Sequence, residues 1–263
     1  MDRISKALEM ARQKRGPLQQ ALQGEQLGDI EYRQTKVVEV DKELLRRNKV
    51  LGGVKDPGVS DAYGMLRTRV LQRMRQNGWK TLGITSANPE VGKTLTSINL
   101  SISIAQDHSH SVLLVDADLR RPSIHKVFGL EIDRGLDDYL LGNASPEEIM
   151  INPGIEHFVI LPGNKVENGA SVLLSSPRMG NLVGELRERY PERFVLFDLP
   201  PVLVGDDVLA FSPNLDAVLL VVEDEKTRDD ELKRAMELLE DVEVLGTVLN
   251  RSTETTEQYG YYN

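Results

Sequence analysis

The chain has 263 residues, 41 acidic against 32 basic side chains, a formal net charge of −9 and no cysteine. That size suits one α/β domain with appended segments, and the missing cysteine excludes a disulfide scaffold and any thiolate-bound metal centre. The acidic balance argues against nucleic acid as a partner. The longest clean apolar run, 217–222, is far too short to span a bilayer, and the charged N-terminus lacks the apolar stretch of a secretory signal, so the chain reads as cytoplasmic, peripheral to the inner membrane only through a partner.

Residues 1–15 predict a short amphipathic helix. Ile4, Leu8 and Ala11, with Ala7 beside them, share one stripe, and Arg3, Lys6, Arg12, Lys14 and Arg15 dominate the rest. Such a helix suits docking to a membrane partner or anionic lipid, or packing on the domain itself. Gly16-Pro17 stops it, and a Gln- and Gly-rich stretch to about residue 35 reads as linker. An extended piece is expected over 36–40, a helix over 42–48 capped by Asp41, and loops at Gly52-Gly53 and Asp56-Pro57-Gly58. From residue 61 to 76 the period is helical, with Leu66, Val70, Leu71 and Met74 apolar. Six short apolar strands follow, over 81–85, 111–115, 158–161, 194–197, 217–222 and 244–249. Helices lie between most of them, notably over 93–105, 176–189 and 227–240. Near-continuous apolar strands alternating with helices predict an α/β fold, a mainly parallel sheet flanked by helices on both faces. The organisation reads as an N-terminal helix and linker over 1–50, a P-loop domain over 51–250 and a tail over 251–263.

After the first of these strands, Ala87-Asn88-Pro89-Glu90-Val91-Gly92-Lys93-Thr94 fits the spacing of a phosphate-binding loop, with Ala in place of the first Gly. Backbone N–H groups of such a loop converge on a β-phosphate, and the following helix N-terminus adds a positive field. Lys93 would reach the β/γ oxygens, and Thr94 would offer its hydroxyl to Mg²⁺. The next strand ends in Asp116-Ala117-Asp118, two acids at i and i+2 that point to one side of an extended chain. Beside a phosphate loop they suit Mg²⁺ binding and proton abstraction; the plainer alternative is a solvated loop balanced by Arg120 and Arg121. A further strand ends in Asp198-Leu199-Pro200-Pro201, the pattern of a Walker B acid. The last five residues hold Tyr259, Tyr261 and Tyr262 of the chain's seven tyrosines, after a polar stretch without apolar anchors. They read as phosphate acceptors, with chance or a docking tail as the alternative.

On SANPEVGKT, VLLVDADLRRP, FVLFDLPPVL, LLSSPRM, GTVLNR and the YGYY end, the chain from about residue 50 resembles the bacterial tyrosine kinases associated with polysaccharide co-polymerases. More narrowly, it is similar to the exosortase-associated tyrosine autokinases. The resemblance implies a P-loop NTPase-like fold with ATP and Mg²⁺ as cofactors. It implies a catalytic set of Lys93, Asp116, Asp118 and Asp198, with Asp116 as the candidate base and Thr94, Asp118 and Asp198 around the metal. Asn88, Pro89, Glu90, Val91, Gly92, Lys93, Thr94, Leu95, Asn250 and Arg251 would contact the nucleotide, Asn250 at its adenine. It further implies phosphorylation of Tyr259, Tyr261 and Tyr262 by a neighbouring subunit, activation by a membrane chain-length-determining protein, an opposing tyrosine phosphatase, and control of exopolysaccharide or capsule export. Two departures stand out. Glu90 occupies a position where the family usually has Gly, and the family's Glu-x-x-Arg-x-x-Arg oligomerisation pattern is met here by Asp61, Gly64 and Arg67. Two other readings remain open. One is a positioning ATPase of the partitioning type, whose extra loop lysine is replaced here by Asn88. The other is a non-catalytic nucleotide-binding assembly subunit.

Overall fold

The apolar runs become the strands of a single eight-stranded sheet. The computed structural model describes residues 35–53, 56–107, 109–189 and 192–252; the helix expected over 1–15 and Tyr259, Tyr261 and Tyr262 lie outside the described residues. In chain order come β1 (Lys36–Val37), α1 (Lys42–Arg47), α2 (Pro57–Asn77), β2 (Thr81–Ser86), α3 (Lys93–Ala105) and β3 (Ser111–Asp116). Then follow α4 (Ile124–Val127), α5 (Leu136–Leu141), α6 (Pro146–Ile149), β4 (Ile151–Asn152), β5 (Phe158–Leu161), α7 (Ala170–Leu174) and α8 (Pro177–Glu188). The last elements are β6 (Arg193–Asp198), α9 (Asp207–Phe211), β7 (Ala217–Glu223), α10 (Asp229–Leu238) and β8 (Val244–Asn250).

Local chemistry sets the helix starts. Asp41 Oδ1 accepts the Glu43 amide at 2.8 Å and caps α1, as its sequence predicts. Asp56-Pro57-Gly58, expected as a loop, instead opens α2. Asp56 Oδ1 accepts the Gly58 amide at 2.9 Å, and Pro57 enters the first turn, where its missing N–H costs nothing and its φ is already helical.

The strand order is β1-β4-β5-β3-β6-β2-β7-β8, parallel throughout except for the β4–β5 pair. Every residue of β2, β3 and β6 is buried, so both sheet faces need cover. Alternation along the strands divides the core accordingly. Leu113, Val115, Val195 and Phe197 face one way, onto Met179, Leu182 and Leu186 of α8. Val112, Leu114, Phe194 and Leu196 face the other, onto Val70 and Met74 of α2 and Ile98 and Ile102 of α3. Burying each such side chain contributes about 1.5–3 kcal/mol. No helix among the described residues is long and apolar enough to cross a membrane.

Parallel strands deliver their carboxyl ends to one edge. Read across the sheet, that edge carries the end of β8 with Asn250, β7, the loop after β2, the end of β6 with Asp198, and the end of β3 with Asp116. Ligands bind at such an edge in open α/β sheets.

At the opposite edge, Asp216 ties three elements together. Its Oδ2 accepts the amides of Lys80 and Thr81 at 2.7 and 2.8 Å and the Thr81 hydroxyl at 3.0 Å, and its Oδ1 accepts Arg187 Nη2 at 2.7 Å. Asp216→Ala strands these donors at the starts of β2 and β7 and should lower the unfolding free energy by about 2–4 kcal/mol, read from urea denaturation. A loss below about 0.5 kcal/mol would remove Asp216 from this role.

Candidate active site

Residues 87–92 carry the chain from β2 into α3. Gly92 is the helix cap at φ 90°, and a side chain there would collide with the amide of Asn250. Asn250 Nδ2 donates to the Val91 carbonyl at 2.8 Å. Asn250 therefore braces the phosphate loop from the end of β8. Glu90 also sits in the left-handed region, at φ 65°, which favours glycine. Its side chain is exposed, at the rim of the cleft.

Lys93 opens α3 and reaches inward. Its Nζ lies 2.9 Å from Asp118 Oδ2 and 3.4 Å from Asp198 Oδ2. Asp198 is wholly buried; its Oδ2 accepts the Thr94 hydroxyl at 2.7 Å and its Oδ1 accepts Ser97 Oγ at 3.1 Å. Asp116, also wholly buried, accepts the backbone amides of Ser123 and Ile124 through Oδ2, both at 2.9 Å, while its Oδ1 has no partner. The expected group Lys93, Thr94, Asp116, Asp118 and Asp198 thus forms one cluster. Ser97, one turn beyond Lys93, belongs to it too; the i,i+4 spacing was the available signal.

The electrostatics follow from crowding. Burial alone would lower the Lys93 ammonium, but Asp198 and then Asp118 carry it above its ordinary value. Burial, with Asp198 beside it, pushes Asp116 up to about 8. Burial likewise raises Asp198, against the pull of Lys93 and the hydrogen bond from Thr94. Three carboxylates therefore meet one ammonium. The oxygens of the acids suit a divalent cation, and the backbone turn above them, which ends in Gly92, suits a phosphate. Among the described residues, no three acidic or histidine side chains are grouped to hold a metal ion by themselves.

A cleft of about 580 Å³ opens above the cluster. Pro89, Glu90, Gly92, Lys93, Thr94, Leu95 and Arg251 line its loop side. Asp118, Arg120, Arg121, Pro200, Pro201 and Val204 line the other. Asn88 and Val91, expected among the contacts, fall outside the lining, as do the buried Asp116 and Asp198. Arg120 is paired chiefly with a carboxylate other than the strand-end acids. Its Nε donates to Asp207 Oδ2 at 2.7 Å, a partner 87 residues away that no local pattern announced.

The CobQ/CobB/MinD/ParA nucleotide binding domain family matches residues 82–261. Tyrosine-protein kinase YwqD of Bacillus subtilis (strain 168) is 33% identical over 206 residues, covering 77% of this chain and 86% of that protein. Tyrosine-protein kinase wzc of Salmonella typhimurium is 30% identical over 207 residues; these cover 77% of this chain but 28% of that longer protein. The solved kinase domain of Escherichia coli tyrosine kinase ETK matches with a TM-score of 0.72 at 28% identity, covering 87% of this chain and 94% of that domain.

The position of Glu90 generates a test. Glu90→Gly removes a side chain from a left-handed residue and a negative charge from the rim of a phosphate site. Nucleotide affinity, measured with a fluorescent ATP analogue, should rise about three- to tenfold. Unchanged or weaker binding would mean that Glu90 does not oppose the phosphates.

Proposed function

The chain belongs to the CobQ/CobB/MinD/ParA nucleotide-binding family and, within it, to the bacterial tyrosine-protein kinases, and from that premise we propose that it transfers the γ-phosphoryl group of ATP to Tyr259, Tyr261 and Tyr262 of a neighbouring copy. The observation that carries this reading is that Lys93 and Thr94 of α3 and Asp118 after β3 line one cleft, with Asp198 at the end of β6 buried directly beneath them.

In the transfer, the phenolic oxygen of the acceptor forms a bond to the γ-phosphorus and the bond from that phosphorus to ADP oxygen breaks. The electron pair leaves with ADP. The phenolic proton passes to a carboxylate at the end of β3. Asp116 is the candidate acceptor of that proton: it lies directly beneath the cleft, and its Oδ1 is the one carboxylate oxygen of the cluster buried without a partner. Lys93 holds the β- and γ-phosphate oxygens, and the amides of the 87–92 turn hold the rest of the phosphate chain. Mg²⁺, arriving with ATP, would be held by Thr94, Asp118 and Asp198 and would neutralise phosphate charge. Positioning and charge neutralisation account for most catalysis of this kind, so the residues act as a unit.

The same reading extends to the setting. Of the N-terminal segment expected over 1–50, residues 36–50 belong to the domain, with β1 in the sheet and Leu45 and Val50 in the core, so the docking role for a membrane chain-length-determining protein falls to residues 1–34, which would place the kinase domain at the inner face of the membrane. Copies of the chain associate, a tyrosine phosphatase resets the tail, and the cycle of phosphorylation controls exopolysaccharide or capsule export. The positioning-ATPase reading is disfavoured by Asn88, which stands where that class carries its extra lysine.

Two measurements test the reading. Mixing a Lys93→Met chain with an active chain lacking residues 252–263 should place phosphotyrosine on the tail of the Lys93→Met chain; no label there rejects transfer between copies. Asp118→Asn and Asp198→Asn should each cut phosphotyrosine formation by about 100-fold or more, with little further loss on combination. Wild-type activity in either variant would contradict the shared site.

A further inference from the structure

The order of strand ends divides the cleft. The phosphate loop follows β2; Asn250 ends β8 and Arg251 follows it on one side, while on the other Asp198 ends β6, Pro200 lies beyond it, and Asp118 and Arg120 lie beyond β3. The γ-phosphate belongs with Lys93 and Asp118, so the rest of the nucleotide leads back toward the β8 side. In-line displacement requires the attacking oxygen opposite the leaving ADP. The acceptor therefore enters over the β6 and β3 ends.

That wall is built for more than closure. Val204 is an apolar side chain 52% exposed beside Pro200 and Pro201. Arg120, its side chain 45% exposed, is clamped through Nε by Asp207, whose side chain is 2% exposed, and its Nη2 lies 3.7 Å from Asp206 Oδ1. Asp207 Oδ1 is buried without a partner. A methyl group at Gly205 would stand 2.7 Å from Asp207 Oδ2 and 3.1 Å from Arg120 Nη2, so the glycine leaves room for the pair. An ion pair with one end in water adds little stability. What it does here is fix the direction of a guanidinium at the cleft mouth, with its remaining donors available for another carboxylate.

Resting on the tyrosine-kinase reading, we propose that this wall is the acceptor subsite. Val204 and Pro201 flank the phenol ring, and Arg120, positioned by Asp207, pairs with an acidic side chain two residues before the acceptor tyrosine. The chain's own tail supplies that arrangement, with Glu257 two residues before Tyr259. Two extended residues span about 7 Å, within the reach of an arginine side chain. On a chain of net charge −9, a local arginine also offsets the general repulsion of an acidic peptide.

The test uses the full-length protein and biotinylated peptides of residues 252–263 in which Tyr261 and Tyr262 are changed to Phe, with or without Glu257→Gln. With wild-type kinase, Glu257→Gln should raise the peptide KM about fivefold and leave kcat and the KM for ATP nearly unchanged. Arg120→Gln should phosphorylate both peptides with equal KM, and Arg120→Lys should keep part of the discrimination. Asp207→Asn and Gly205→Ala should lose discrimination while binding ATP as the wild type does. Equal KM values for the two peptides with wild-type kinase would overturn the subsite and leave the kinase reading standing, as would undiminished discrimination in Arg120→Gln. Undiminished discrimination in Asp207→Asn would overturn the positioning role. Absence of phosphotyrosine on either peptide, with ATP still bound, would overturn the kinase reading and the subsite together.

Discussion

One ammonium set among three buried carboxylates governs this molecule. Lys93 cannot be moved without leaving Asp118 and Asp198 uncompensated, and neither acid can be removed without leaving a buried cation short of partners. Such a cluster contributes little net stability, because desolvation offsets much of the attraction. It instead holds charge in readiness: the lysine and the acids can exchange one another for a phosphate and its counter-cation. The helix that starts at Lys93 lies with its N-terminus at the same point, so its field and the lysine act together.

The sheet makes this concentration of charge possible. Three strands with every residue buried end at one edge, and each hands a polar residue out of a dry core at its last position or just beyond it. Two cores of interlocking side chains on opposite faces keep the strand ends in register, so the acids and the loop are placed by packing rather than by their own mutual attraction.

Much of this was legible because a buried parallel strand is an apolar run and a strand-ending acid interrupts it visibly. The strands bearing Asp116 and Asp198, and α3 after the phosphate loop, fall within a residue of where the pattern places them. Helices α4, α5, α6, α7 and α9 span only four to six residues, too short to display a helical period. Asp56-Pro57-Gly58 misled because the residues that make turns also make helix starts, and only the register of the following helix tells them apart. The Arg120–Asp207 pair was invisible for a deeper reason: its members meet only once β3 and the segment after β6 lie at the same sheet edge. Asn250 stands in the sequence only through the family resemblance, as an adenine contact; its contact with Val91 depends on the strand order.

That contact has a thermal consequence. β8 is the outermost strand, paired along one side only, and its exposure alternates along its length. Edge strands open at lower free energy than central ones. The turn that grips phosphate thus leans, through Asn250, on an edge strand of the sheet. Warming that frays this margin would loosen the grip on phosphate while the central strands are still intact, so activity would fade below the melting point of the sheet.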